Sequence, residues 1–199
     1  MHGVRILLVC TGNTCRSPMA EALLRNLVQE TGQAHEVRSA GVSTVDGLPV
    51  SEYAVAALRE MEIEHCGASR AINAETVAWA DLILTMTAGH KRSLLERYPQ
   101  VVDKSHTLKE YVEDDAEVLG HIAELEGLYT DLHMKQALGG QLSDSERARL
   151  LQLERSIPSF DVADPFGGSR EQYRMTAKQI KDALDKLVRK IRSTSFDQK

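Results

Sequence analysis

The stretch Val4–Glu21 constrains this chain more than any other. Val4 to Val9 is rich in aliphatic and β-branched residues. A run of that length and composition suits a strand buried on both faces of a parallel sheet. Cys10 closes the run. The loop after it holds Gly12 and Asn13, the residue types that best tolerate left-handed backbone angles. Ser17 then reads as a helix N-cap, with Pro18 at the first helical position and Glu21 in the first turn. The order is strand, tight loop, helix, with a cysteine where the strand ends.

That junction has a chemical reading. Successive loop amides that point inward form an anion-binding nest, and the helix adds its positive end. Arg16 supplies a planar, permanently charged fork that matches two phosphate oxygens. A phosphate held by Thr11, Gly12, Asn13, Thr14, Cys15 and Ser17 would rest on Cys10. The same donors stabilise a thiolate and make the sulfur a nucleophile.

The spacing Cys10-x5-Arg16-Ser17 is that of the phosphate loop of cysteine-dependent phosphatases. With Cys-Thr-Gly-Asn-Thr-Cys-Arg-Ser-Pro close to the first residue, the chain resembles the low-molecular-weight protein tyrosine phosphatase family. The resemblance covers about residues 4–112 and 160–192. It implies an α/β fold with a four-stranded parallel sheet flanked by helices, no cofactor and no metal. It also implies that the serine of Ser39-Ala40-Gly41 supports the phosphate loop by hydrogen bonding.

The remaining periodicities agree with such a fold. Apolar residues recur at helical spacing from Ser17 to about Gln29, and Thr31-Gly32 ends the helix. His35–Ala40 reads as a second strand, Pro49–Met61 as a helix, and Asn73 as the cap of a short helix through Trp79. Asp81–Met86 is a third, nearly all-apolar strand, Ala88–Tyr98 a helix, and Lys104–Leu108 a weak fourth strand. Arg170–Arg192 closes the chain as a long helix with Ile180, Leu184, Leu187, Val188 and Ile191 on one face. Alternation of this kind predicts a doubly wound sheet, whose ligands bind beyond the carboxyl ends of the strands. The reading is of a single phosphatase domain over 1–199 with a helical insertion at about 113–158.

That insertion departs from the family pattern, in which the fourth strand usually runs on to the acid loop. Two helical patterns flank Gly139-Gly140, and Ser143-x-x-Glu146 forms a capping box at the start of the second. Residues 113–158 carry ten acidic and four basic residues, net −6, against −5 for the whole chain. A solvated decoration, a lid, a docking surface and a dimer contact all remain open.

Next comes Phe160-Asp-Val-Ala-Asp-Pro-Phe-Gly-Gly-Ser169. A leaving group expelled from phosphorus needs a proton, and a carboxylic acid supplies it. The resemblance gives this role to the aspartate of an Asp-Pro pair, here Asp164. Asp161 is its rival.

Substrate choice rests on Thr14 and Phe166. Tyrosine-directed members usually carry a bulky aliphatic residue at the position of Thr14, whereas the branch resembling protein arginine phosphatases carries Thr there and Asp-Pro-Phe-Gly-Gly at the acid. Thr offers a hydroxyl to a planar guanidinium, and Phe166 an apolar wall to the side-chain stem. Phosphoarginine in proteins is therefore the favoured substrate, with phosphotyrosine the alternative. Such a reaction implies a counteracting protein kinase. Arsenate reduction on this fold needs further shuttling cysteines, and Cys66 is the single cysteine after the loop. A non-catalytic phosphoprotein-binding module would not need Cys10, Arg16 and Asp164 together.

A net charge of −5 speaks against nucleic acid, no apolar run spans a bilayer, and no signal-peptide pattern opens the chain. Three cysteines, Cys10, Cys15 and Cys66, suit a reducing cytoplasm. Cys10 and Cys15 share one curled loop, which leaves two readings open: a reversible, protective disulfide between them, or a thiol packed under the loop.

Overall fold

A computed structural model describes residues 3–196. The chain divides into two compact units. One is formed by the residues up to Val112 together with those from Phe160 onward, the other by Glu113–Ser159.

The first unit is built on a four-stranded sheet: β1 (Arg5–Cys10), β2 (Glu36–Gly41), β3 (Leu82–Thr85) and β4 (Ser105–Thr107). The order is β2-β1-β3-β4 and every pairing is parallel. β1 is central, which is why its burial is continuous from Ile6 to Cys10. Successive residues face opposite layers. Ile6, Leu8 and Cys10 join the core that contains Leu23 and Leu24 of α1 (Arg16–Glu30), Leu58 of α2 (Glu52–Arg59) and the apolar face of α8 (Arg170–Phe196). Leu7 and Val9 face Val77 of α3 (Ala74–Trp79) and Leu94 of α4 (Ala88–Arg97). Along α8, Ile180, Leu184, Leu187, Val188 and Ile191 are all buried, as their spacing predicts.

The chain leaves β1 toward β2 on one side and is flanked by β3 on the other. The carboxyl end of β1 is thus the topological switch point, where open α/β sheets bind ligands, and Cys10 stands there.

Several boundaries differ from the sequence reading. The helix expected over Pro49–Met61 covers only Glu52–Arg59, and the strand expected over Lys104–Leu108 shrinks to Ser105–Thr107. The latter lies between a 3₁₀ turn, Pro99–Lys104, and a one-turn helix α5, Leu108–Tyr111. Helix α1 starts at Arg16, so Ser17 is not its cap. Cys15 occupies the cap position without a side-chain cap bond, because the Ser17 hydroxyl is engaged elsewhere, and Glu21 lies beyond the first turn. Asn73 does cap α3, accepting from the Thr76 amide at 2.8 Å.

The second unit is a helical hairpin, α6 (Ala116–Ala137) and α7 (Asp144–Ser156). Asp115 caps α6, and the Ser143–Glu146 capping box opens α7 as the sequence predicts. Gly139, at φ +76°, takes the left-handed angle that lets the chain turn between them. The turn is held by Gly140 N–H on the Lys135 carbonyl. Among the described residues no helix is long and apolar enough to cross a membrane.

Candidate active site

The loop between β1 and α1 curls around the Cys10 sulfur. Asn13, not Gly12, takes the left-handed angle, at φ +51°. Its amide N–H then reaches Cys10 Sγ at 3.3 Å, and the Ser17 hydroxyl lies 2.9 Å from the same sulfur. Cys10 is buried, so few water molecules compete with these contacts.

Behind the loop runs a chain of buried polar groups with one direction. Asn13 Nδ2 donates to Ser17 Oγ at 2.9 Å and to Ser39 Oγ at 2.8 Å. Ser39 in turn donates to the Glu21 carboxylate at 2.5 Å. Asn13 Oδ1 accepts from the Arg70 amide at 2.7 Å. Glu21 is buried, and the cations that balance it are Arg25, at 2.7 Å, and Arg70, at 3.8 Å. Both protons of the Asn13 amide are therefore spent. Ser17, already accepting from Asn13, has its own proton left for the sulfur.

β2 ends against this loop. The Val42 and Ser43 amides donate to the Cys10 and Thr11 carbonyls. A Cβ at Gly41 would stand 2.6 Å from the Thr11 carbonyl oxygen and 3.0 Å from the Asn13 nitrogen, so only glycine permits this approach. On the opposite side His90 of α4 meets Thr11, with Nε2 and Oγ1 2.8 Å apart. His90 Nδ1 is buried without a partner. Burial, aided by the Arg16 cation, holds the His90 imidazole down to about 4, so it is neutral at pH 7. Cys15 Sγ meets Tyr173 of α8, 3.3 Å from the phenolic oxygen. Burial and that contact push the Tyr173 phenol up.

The acid loop reaches the same place. Arg16 Nη2 donates to Asp164 Oδ2 at 2.8 Å, and Nη1 donates to the Val162 carbonyl at 3.3 Å. Arg16 Nε is buried with no partner in the protein. It is a desolvated charged donor, which a phosphate oxygen would satisfy. Asp164 Oδ1 accepts from the Phe166 amide at 3.2 Å. Asp161, the rival carboxylate, does not meet Arg16. Its Oδ1 accepts from the Ala88 amide at the start of α4, at 2.8 Å, and the neighbouring Val162 amide donates to the Met86 carbonyl at 2.8 Å. Asp161 thus fastens the loop that carries Asp164.

One cavity of about 240 Å³ is lined by Cys10, Thr11, Gly12, Thr14, Cys15, Arg16, Asp164 and Phe166. Asn13, Ser17 and Ser39 stand behind it. Phe166 is 77% exposed and forms part of the rim. A buried sulfur held by an N–H and a hydroxyl, a guanidinium with a spare donor and a half-exposed carboxylate suit in-line displacement at phosphorus.

The model of the low molecular weight phosphotyrosine protein phosphatases matches residues 5–131. The chain belongs to that family. A protein-arginine-phosphatase of Geobacillus stearothermophilus is 36% identical over 95% of this chain and 97% of its own. The low molecular weight protein-tyrosine-phosphatase PtpB of Staphylococcus haemolyticus is 29% identical over 92% and 97%. Among solved structures, the YwlE arginine phosphatase, as a cysteine-to-serine mutant with phosphorylated active site serine, superposes with a TM-score of 0.70. It is 31% identical over 94% of this chain and 95% of that one. Family membership accounts for the four-stranded parallel sheet and for a cysteine-dependent phosphatase chemistry.

Four participants escaped the sequence reading: Glu21, Gly41, His90 and Tyr173. Each lies within or next to an ordinary helix or strand pattern. Only the buried glutamate on an otherwise apolar helix face left a trace, since Glu21 sits among Ala20, Leu23 and Leu24.

Proposed function

We propose that this phosphatase hydrolyses phosphoarginine in proteins through a cysteinyl-phosphate intermediate. The observation that carries the reading is the Thr14 side chain in the wall of the cavity that also holds Cys10, Arg16 and Asp164. A guanidino group has N–H donors all along its plane, and the hydroxyl of Thr14 and the carboxylate of Asp164 accept from them. An aliphatic residue at Thr14 would leave those donors unpaired, which is costly in a closed site. The named activity of the Geobacillus relative supports the same choice.

In this mechanism the Cys10 thiolate attacks phosphorus while the loop amides and Arg16 hold the equatorial oxygens. The P–N bond breaks as Asp164 gives its proton to the departing nitrogen. Arginine leaves as a guanidinium, its positive charge beside the new carboxylate. Water then attacks the phosphocysteine, the Asp164 carboxylate takes its proton, and the P–S bond breaks to return the thiolate and release phosphate. Ser17 stabilises the thiolate at both ends of the cycle. Ser39 supports the loop through Asn13. Three free thiols suit a reducing cytoplasm, and a protein kinase would supply the phosphorylated residues.

Turnover on phosphoarginine and on phosphotyrosine tests the reading. The native chain should favour phosphoarginine, and Thr14→Ile should shift the ratio of kcat/KM toward phosphotyrosine by about tenfold or more. A strong native preference for phosphotyrosine overturns the assignment.

A further inference from the structure

We propose that the hairpin Ala116–Ser156 docks a basic, amphipathic segment of another protein, laid as a helix into its leucine-lined groove. The starting point is an incomplete core. Helix α6 runs for 22 residues and buries none of them. Its stripe of Val118, Ile122, Leu125, Leu128 and Leu132 is only half-covered by α7. Helices of this kind draw most of their stability from packing an apolar face. Two helices cannot enclose such a stripe, and bundles normally supply a third or fourth.

The uncovered part is concave. Near the turn, a cavity of about 610 Å³ opens between the helices, lined chiefly by Leu132, Gln136, Leu142, Arg147, Leu150 and Leu151. Leu151 is 52% exposed, and beyond the cavity Leu138 is 86% exposed. An amphipathic helix lays residues at i, i+3, i+4 and i+7 into grooves of this type.

Charge selects the occupant. The segment 113–158 has a net charge of −6. Two of its four basic residues are drawn into ion pairs, Arg149 with Glu124 at 2.6 Å and Lys135 with Glu146 at 2.7 Å, and Arg147, at the cavity wall, donates to Gln141 at 2.6 Å. Among the described residues Glu117, Glu126 and Asp131 of α6 stand in no ion pair. A second copy of the hairpin would set like charge against like. A helix that carries Lys or Arg beside its apolar stripe complements both the leucine-lined groove and the net acidic charge of the hairpin, and such complementarity speeds encounter and selects partners.

Binding is read without turnover, so the outcome stands apart from the choice of substrate. The full chain is titrated, by fluorescence anisotropy, into two labelled peptides of about 18 residues made of Leu, Ala and Arg, long enough for five helical turns. One has leucines at i, i+3, i+4 and i+7; the other has the same composition with leucines spread around the helix. The patterned peptide should bind at least about tenfold tighter. Leu151→Asp should weaken it by about tenfold, although that change makes the hairpin more acidic. Circular dichroism checks that the helices persist, and Leu138→Asp repeats the comparison at a more exposed position. Equal binding of the two peptides, or unchanged or tighter binding to both variants, overturns the proposal in favour of charge alone. A dimer in sedimentation that the patterned peptide fails to dissociate overturns it in favour of a second copy.

Discussion

Ser39 gives its hydroxyl proton to the buried carboxylate of Glu21, and that bond sets the direction of every polar contact between Glu21 and Cys10. With its proton committed, Ser39 meets Asn13 as an acceptor only. Asn13 then turns its second N–H to Ser17, and Ser17 faces the sulfur as a donor. A charge at one end of the chain thus prepares a proton at the other, with no direct contact between Glu21 and Cys10.

Glu21→Gln should test this. Glutamine can donate as well as accept, so Ser39 loses its fixed orientation. Alkylation of Cys10 by iodoacetamide at pH 6 should slow, and kcat/KM should fall about tenfold. Ser39→Ala should do the same, and the double variant should lose little more than either single one, since the two act on one path. Additive losses would show that Glu21 acts by another route.

Asp161 and Asp164 should separate cleanly. Asp164→Asn removes the proposed proton donor and should lower kcat on phosphoarginine by about 10²- to 10⁴-fold. Asp161→Ala frees the loop from the start of α4 and should cost about tenfold, but nothing further in the Asp164→Asn background. Steady-state kinetics on the four proteins checks it. If Asp161→Ala alone matched or exceeded the loss in Asp164→Asn, the roles would be reversed.

His90 makes the fold acid-sensitive. Its imidazole is neutral in the native state, held down to about 4, while the unfolded chain titrates near the usual 6.5. The unfolded state therefore binds more protons between these values, and stability falls as pH drops from about 6.5 toward 4. His90→Gln lacks this slope. Urea unfolding should find the wild type most favoured over the variant near pH 7, and the gap should narrow at pH 5. A constant gap would mean that His90 does not titrate in this window.

The loop thiols Cys10 and Cys15 are both free, and both border the same cavity. Mild peroxide should join them, and thiol reductants should restore full turnover. Peptide mapping of the oxidised protein should find the Cys10–Cys15 bridge. Sulfinic acid on Cys10 with Cys15 untouched would refute it.

Much of this was legible in the chain. The β1–loop–α1 junction announced itself because strand, turn and helix preferences meet there within a few residues, and each is local. The hairpin was equally plain from Gly139-Gly140 and the Ser143–Glu146 box. What stayed hidden was set by tertiary contact. Ser17 has the chemistry of an N-cap, yet the sulfur and Asn13 outcompete the helix end for its hydroxyl. Asp161 and Asp164 look equivalent in sequence, and only the position of α4 tells a loop anchor from the carboxylate that meets Arg16. His90 carries no motif at all; burial against Thr11 gives it its part.

The anchoring of Asp161 and Val162 onto Ala88 and Met86 has a consequence for how such a chain can change over time. The return point of the polypeptide is pinned before Asp164 is reached, so the carboxylate that meets Arg16 is registered locally, not by the path that leads to it. Length and composition between Val112 and Phe160 can then drift, expand or be exchanged while the chemistry stays in place. The fold holds a port at which new recognition modules can be tried without retuning the reaction.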